Sequence, residues 1–321
     1  MSRDRQVLCL NYRPNAIHVG AISDGSYQLR NIIEIIAHPQ HCSIAAESNI
    51  VTILASNIVY QSYDYGWHFD RYELEYSSDV PVAGKAFRRG RVAFFADDKV
   101  WLRIPGEAWR IIVFRDVTLQ DVSIDEDGVV YGISDTDIFS AKGQVVSAMG
   151  RVFSPKARRA LQKNWGDGAL RAINVEAKPI ALMMECFTFV DGLLLADSPS
   201  RSIMAVQNDD VWEATLVNEA AFFFLRAKPG QVAAITKRGW CVSTESCGQS
   251  WCYEDFGEEI AHASGVRRVE IKRLASREGD LVAVVEVERC LNVICHKSSG
   301  SQWQRSSVPE QYGSLLDVAL V

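Results

Sequence analysis

His38, His41 and Cys42 fall within five residues and offer three side chains of metal-ligating type. Pro39 sits between the histidines and breaks any helix that would bring them to one face, so the stretch reads as a connection into an apolar strand over 43–46. Asp125-Glu126-Asp127-Gly128 resembles the start of a calcium loop, but the distal glutamate of such a loop is missing and an acidic turn is the simpler reading. The chain has no Gly-rich phosphate loop, no dinucleotide fingerprint and no Gly-x-Ser-x-Gly elbow. Neither nucleotide hydrolysis nor serine-hydrolase chemistry has a motif to stand on, and the sequence implies neither cofactor nor metal.

The one concentration of charge lies between positions 150 and 178, where Arg151, Lys156, Arg158, Arg159, Lys163 and Arg171 stand in a chain of net charge -6. Ser154-Pro155 has the form of an N-cap followed by proline at the first helical position, which predicts a short helix over 155–165. One reading docks an acidic partner or a nucleic-acid phosphate backbone through Arg151, Lys156, Arg158, Arg159, Lys163 and Trp165. The other packs Phe153, Leu161 and Trp165 onto the rest of the fold and leaves the charges in water.

These residues need a frame, and the rest of the 321-residue chain is occupied with supplying it. Apolar residues make up 48% of the sequence, enough for an extensive core, while the acidic balance argues against a surface that grips nucleic acid. No apolar run approaches a membrane span, and the N-terminal residues lack the pattern of a secretory signal. The eight cysteines include no Cys-x-x-Cys pair, and several lie inside apolar strand-like runs (Cys9, Cys186, Cys241). They read as reduced thiols serving as small hydrophobes in a cytoplasmic protein.

The frame is a repeat. Paired apolar strands separated by short polar turns begin near positions 7, 50, 91, 129, 193, 232 and 281, and 91–96 with 100–104 is the clearest copy. A spacing of about 40 residues is that of one propeller blade. The interval from 129 to 193 is too long and must hold the basic insertion. A second signal follows each hairpin, where a polar, often glycine-containing turn leads to an aromatic residue: Tyr27, Trp67, Trp109, Trp212, Trp251 and Trp303.

These turns resemble the Asp-box, Ser-x-Asp-x-Gly-x-Thr-Trp, of sialidase-like propellers. Ser62-x-Asp64-x-Gly66 keeps the box, with Trp67 taken as an aromatic that arrives two residues early; Thr244-x-Ser246-x-Gly248-x-Ser250-Trp251 keeps the spacing without the aspartate; Ser298 to Trp303 keeps only the end. The resemblance implies aromatics packed between blades and raises glycoside hydrolysis as an activity. Sialidases carry an Arg-Ile-Pro motif, and Arg103-Ile104-Pro105 matches it, but here it runs into a box-like turn. In the family such turns lie opposite the active site, so Arg103 is expected to be structural.

The phrase Leu119-Gln120-Asp121-Val122-Ser123-Ile124 recurs as Leu315-Leu316-Asp317-Val318-Ala319-Leu320 at the end of the chain. The first copy lacks this strand, so residues 314–321 are expected to complete the first blade and remove an exposed sheet edge. The expectation is therefore an all-β, about seven-bladed propeller of four-stranded antiparallel blades, one domain over 1–321 with a partly helical insertion at about 150–178. It is expected to be a monomeric, non-enzymatic platform that binds a protein partner. The alternative is a divergent glycan-binding or glycan-hydrolysing propeller.

Overall fold

The computed structural model describes residues 6–23, 25–34, 42–55, 58–73, 85–96, 99–114, 118–124, 128–134, 138–140, 145–146, 154–157, 159, 186–190, 193–198, 203–208, 211–216, 222–228, 231–244, 246, 249–277, 280–287, 291–298 and 301–321. It is an all-β propeller with four-stranded antiparallel blades. Among the described residues the strands form seven four-stranded sheets. Six are meanders of four consecutive strands, such as the second sheet, Cys42–Glu47, Ile50–Ala55, Ile58–Ser62 and Asp70–Glu73. The first sheet is different, because Val7–Arg13, Ala16–Ser23 and Ser26–Glu34 are joined by Ser314–Leu320 from the other end of the sequence.

Opening strands of successive sheets run side by side. Lys85–Arg88 lies beside Leu119–Ile124, which lies beside Cys186–Val190, and Phe222–Lys228 and Ile271–Arg277 continue the series to Ser314–Leu320. That last strand lies beside Cys42–Glu47 of the second sheet. The first sheet is covered on both faces, and alternate residues of its strands serve different neighbours. Leu8 and Leu10 pack with Val51, Ile53 and Ile44 of the second sheet, while Val7 and Cys9 pack with Val282, Val284 and Ile294 of the seventh. This is why the strands read as continuous apolar runs rather than alternating ones.

Aromatics fill the same seams. Trp109 meets Phe94 edge-on at 5.7 Å, and Phe94 stacks on Trp101 at the same distance. Trp303, 7% exposed, meets Phe256 edge-on at 6.0 Å. Phe256 precedes a helix absent from the sequence reading, Gly257–Ser264, whose Ile260 reaches the same cluster. Its signals were present in the chain: apolar Phe256 and Ile260 one turn apart, acidic Glu258 and Glu259 in the first turn, and Gly265 at φ 74° as the left-handed stop.

The repeated phrase has a geometric meaning. Asp317 pairs with Leu10 just past a bulge at Leu316, and Asp121 pairs with Ile133 just past a bulge at Gln120. Each extra residue lets the aspartate turn back on its own strand: Asp317 accepts the Val318 N–H at 3.0 Å, and Asp121 accepts the Val122 N–H at 2.8 Å. Asp317 also reaches across the seam, where its second oxygen accepts the Ile44 N–H at 3.1 Å. Val318, Ala319 and Leu320 are buried, and the Val321 N–H donates to the Gln6 carbonyl at 3.1 Å.

A chain ending at residue 313 leaves the ladder edge of Val7–Arg13 unpaired and strips apolar contacts from two seams. It should melt about 10 °C or more below the full chain, or precipitate, in differential scanning calorimetry. At Asp121 burial pushes the carboxyl up to about 6, opposed by the Val122 N–H. A raised pKa in the fold gives stability that is present below about pH 4 and lost as pH rises through the folded value. Asp121→Asn should therefore raise the Tm at pH 8 and leave it near that of the wild type at pH 4.

Candidate functional site

The basic segment contributes Ser154, Pro155, Lys156, Ala157 and Arg159 to the described residues; Arg151, Arg158, Lys163 and Trp165 lie outside them. Ser154 caps a helical start as its sequence predicts, its hydroxyl oxygen accepting the Ala157 N–H at 3.0 Å. The same hydroxyl donates to the buried Glu213 carboxylate at 2.7 Å, which fixes the helix start to the fifth sheet. Lys156 donates to the Gln249 carbonyl of the sixth sheet, and the Arg159 Nε–H donates to the Pro155 carbonyl at 3.2 Å. Both cations are directed at main-chain oxygens of this protein.

Arg103 is 4% exposed, with its guanidinium 4.1 Å above the Tyr72 ring and a 2.5 Å bond to the Ile104 carbonyl. It is a seam residue of the second and third sheets. Of the histidine–cysteine group, Cys42 is buried in a strand, and His38 and His41 lie outside the described residues. Among the described residues no group of three His, Cys, Asp or Glu side chains is placed to hold a metal ion, and no helix is long and apolar enough to cross a membrane.

The most elaborated turn is Ser62–Phe69, at the end of the third strand of the second sheet. The Ser62 hydroxyl donates to Asp64 Oδ1 at 2.7 Å and accepts the Gly66 N–H at 2.8 Å. Asp64 Oδ1 also accepts the N–H groups of Trp67 and His68 at 3.1 and 3.0 Å, and its other oxygen meets His68 Nδ1 at 2.5 Å. Gly66, at φ 89°, makes the reversal that the box requires. Partial burial pushes the Asp64 carboxyl up, but the amide and ring of His68 and the Ser62 hydroxyl outweigh it and hold the group far below the usual carboxylate range.

One sequence reading is corrected here. The aromatic that packs inward from this box is Phe69, against the core of the first and second sheets, whereas Trp67 is 41% exposed. Phe69 stands at the proper box spacing from Ser62, and the tryptophan two residues earlier masked it. Tyr63 and Tyr65 are also exposed, at 40% and 43%. Tyr65 holds φ 62°, a left-handed conformation uncommon for a bulky residue.

Side chains from outside the turn fix its backbone. Asn49 donates to the Tyr63 carbonyl at 2.6 Å, Arg30 to the Tyr65 carbonyl, and Asn31 to the Trp67 carbonyl at 2.7 Å. The Arg30 guanidinium also donates to Gln6 and lies 5.3 Å from the centre of the Trp67 ring. None of these three residues was a sequence candidate, because they come from two different sheets and only the fold brings them together. The box of the sixth sheet is the internal comparison. There Ser246 takes the aspartate's place, accepting the Ser250 N–H at 2.9 Å, and Gln249 stands where the second sheet has Trp67.

No known protein family's profile matches the chain, and no curated protein matches it in sequence. Solved propellers do match in structure. YCF48 bound to D1 peptide aligns with a TM-score of 0.50 and 13% identity, over 84% of this chain and 83% of its own. YCF48 from Cyanidioschyzon merolae aligns with a TM-score of 0.55 and 11% identity, over 87% and 88%. Apo AztD from Citrobacter koseri aligns with a TM-score of 0.51 and 10% identity, over 99% and 98%. At these identities the likeness shows the fold alone.

The box carboxylate is an acid-sensitive part of the turn. Since its folded pKa is depressed, the stability it contributes is present above about pH 4 and is lost as pH falls toward the folded value. Asp64→Ala should lower the Tm at pH 7, and the gap from wild type should narrow steadily below pH 4 in thermal melts.

Proposed function

We propose that this protein is a non-enzymatic, protein-binding platform, a monomeric seven-bladed propeller closed by its C-terminal strand and working in the cytoplasm. The observation that carries the reading is the Ser62–Phe69 turn, where Tyr63, Tyr65 and Trp67 face solvent on a backbone fixed by Asp64, Arg30, Asn31 and Asn49. Exposing three large aromatics within five residues is unfavourable for a free protein, and such surfaces mark sites of association. Holding the loop rigid before contact reduces the entropy lost on binding. A neighbouring propeller of similar fold, YCF48, has been seen with a peptide bound, which supports the use of this architecture for recognition.

The thiols fit a reducing compartment. Cys9, Cys42, Cys241 and Cys295 are buried, and burial pushes the Cys241 thiol up to about 12 and Cys295 to about 11, away from the reactive thiolate.

Affinity capture from native lysate should retain a stoichiometric protein on the wild type and lose it on Trp67→Gln, with both baits melting within about 2 °C of each other. Failure to retain any partner on the wild type, or equal retention on both baits, would overturn the platform reading at this turn.

A further inference from the structure

We infer that the seam between the first and seventh sheets is an acid-sensitive latch, in which protonation of His18 and His296 lifts the strand Ser314–Leu320 and the preceding turn Glu310–Tyr312 off the first sheet. Four of the six histidines lie among the described residues, and two of these, His68 and His262, are exposed. The other two come from opposite sides of a single seam. His18 alternates with Ile17 and Val19, which pack on the second sheet, so it is turned toward the seventh. His296 follows Cys295, which packs on the sixth sheet, and shares the side of Ile294, which packs with Val7 and Cys9. Val318 and Leu320 fill the same seam. Among the described residues, the histidines that are not exposed are thus concentrated where Ser314–Leu320 joins the fold.

His18 is 8% exposed, and its Nδ1 is buried without a hydrogen-bond partner. Tyr312 covers it edge-on at 6.1 Å, and the Tyr312 ring lies 4.8 Å from that of Tyr27. Asn11, directly opposite in the ladder, spends its amide on the Tyr27 hydroxyl at 2.9 Å, and its Oδ1 is buried unpaired as well, so the two side chains do not bond each other. His296 Nε2 meets the buried Ser306 hydroxyl at 3.4 Å. The surrounding charges do little to favour a proton. Arg13, on the strand paired with that of His18, repels one. Glu34 and Glu310 of the flanking elements are exposed, and the Cys9 thiol and Tyr27 hydroxyl, pushed up by burial, stay neutral. From the seventh sheet, Glu286 is held by Lys272 at 2.5 Å, while Arg273 and Arg277 share the side of Ala275, which lines the seam. Asp317 is turned to Ile44 of the second sheet. Among the described residues Asp280 alone favours the charged form of His296. Burial and Arg13 hold His18 below the ordinary histidine value, and burial, outweighing Asp280, does the same for His296. Since both values are lowered in the closed seam, closure is complete above about pH 6.5 and is lost as pH falls toward the folded values. An imidazolium without a countercharge reaches water only by leaving the seam, and Tyr312 is the side chain that must lift to let it.

The test is hydrogen exchange of the intact protein, followed by mass spectrometry at about pH 7.5 and about pH 5 and corrected for the intrinsic pH dependence of exchange. Most carboxylates stay charged over this range; Asp121, which titrates within it, belongs to the fourth sheet and acts in the opposite sense. Protection of Ser314–Leu320 should fall at least about tenfold at the lower pH, because each unit of lowered pKa weakens closure about tenfold. Arg91–Ala96 and Lys99–Arg103 of the third sheet should keep theirs. His18→Phe, which retains the edge contact with Tyr312, and His296→Gln, which retains a partner for Ser306, should each shrink the fall at least about threefold, and the double variant should remove it. Proton NMR of the wild type needs no variant: two histidine ring signals should shift with the midpoint seen for exchange at Ser314–Leu320. No fall in the wild type, an equal fall in the third sheet, a full fall in the double variant, or ring midpoints more than about one pH unit from that of exchange would each overturn the inference.

Discussion

Burial of a sheet on both faces, as in the first sheet, is the constraint from which the rest of this structure follows. A four-stranded antiparallel sheet of this length cannot hide two apolar faces by itself and must rely on the sheets beside it. In the first sheet Leu8 and Leu10 depend on the second sheet, and Val7 and Cys9 depend on the seventh. Such an arrangement has no natural end, because whichever sheet is terminal would expose one face and one edge. The pairing of Val7–Arg13 with Ser314–Leu320 joins the two ends of the chain in a single ladder, and Asp317 ties that ladder to Ile44 of the next sheet.

The same mutual dependence explains where the polar residues are spent. Turns at the ends of the sheets must reverse the chain tightly without an apolar interior of their own, so they are held by local hydrogen bonds. Ser62 and Asp64 do this in the second sheet, and Thr244, Ser246 and Ser250 do it in the sixth with hydroxyls in place of the carboxylate. A turn closed by its own side chains leaves the intervening residues free of structural duty. That freedom is what allows Tyr63, Tyr65 and Trp67 to occupy positions facing water.

Two described cations of the basic segment, and Arg103, make contacts within the protein itself. Lys156 and Arg159 are engaged by main-chain carbonyls, and Arg103 is sealed between Tyr72 and the third sheet. Arg30, which no motif marks, proves to be the cation beside an exposed aromatic. A single arginine in a strand carries no signal until the register of its sheet and the position of the neighbouring turn are known.

The sequence by itself determined the periodic elements: paired apolar strands at blade spacing, polar turns leading to aromatics in phase with them, and the repeated Leu-x-Asp-Val phrase at both an internal and a terminal strand. These are local patterns, set by side-chain alternation and turn chemistry, so they can be read along the chain. Tertiary structure decided which aromatic of Trp67 and Phe69 turns inward, since that depends on the core waiting beneath the turn. It also decided that Asn49, Arg30 and Asn31 converge on three carbonyls of one loop, because those residues belong to different sheets. The helix Gly257–Ser264 lies between these cases: its cap and spacing were legible, but only its packing against Trp303 gives Ile260 a buried place to point.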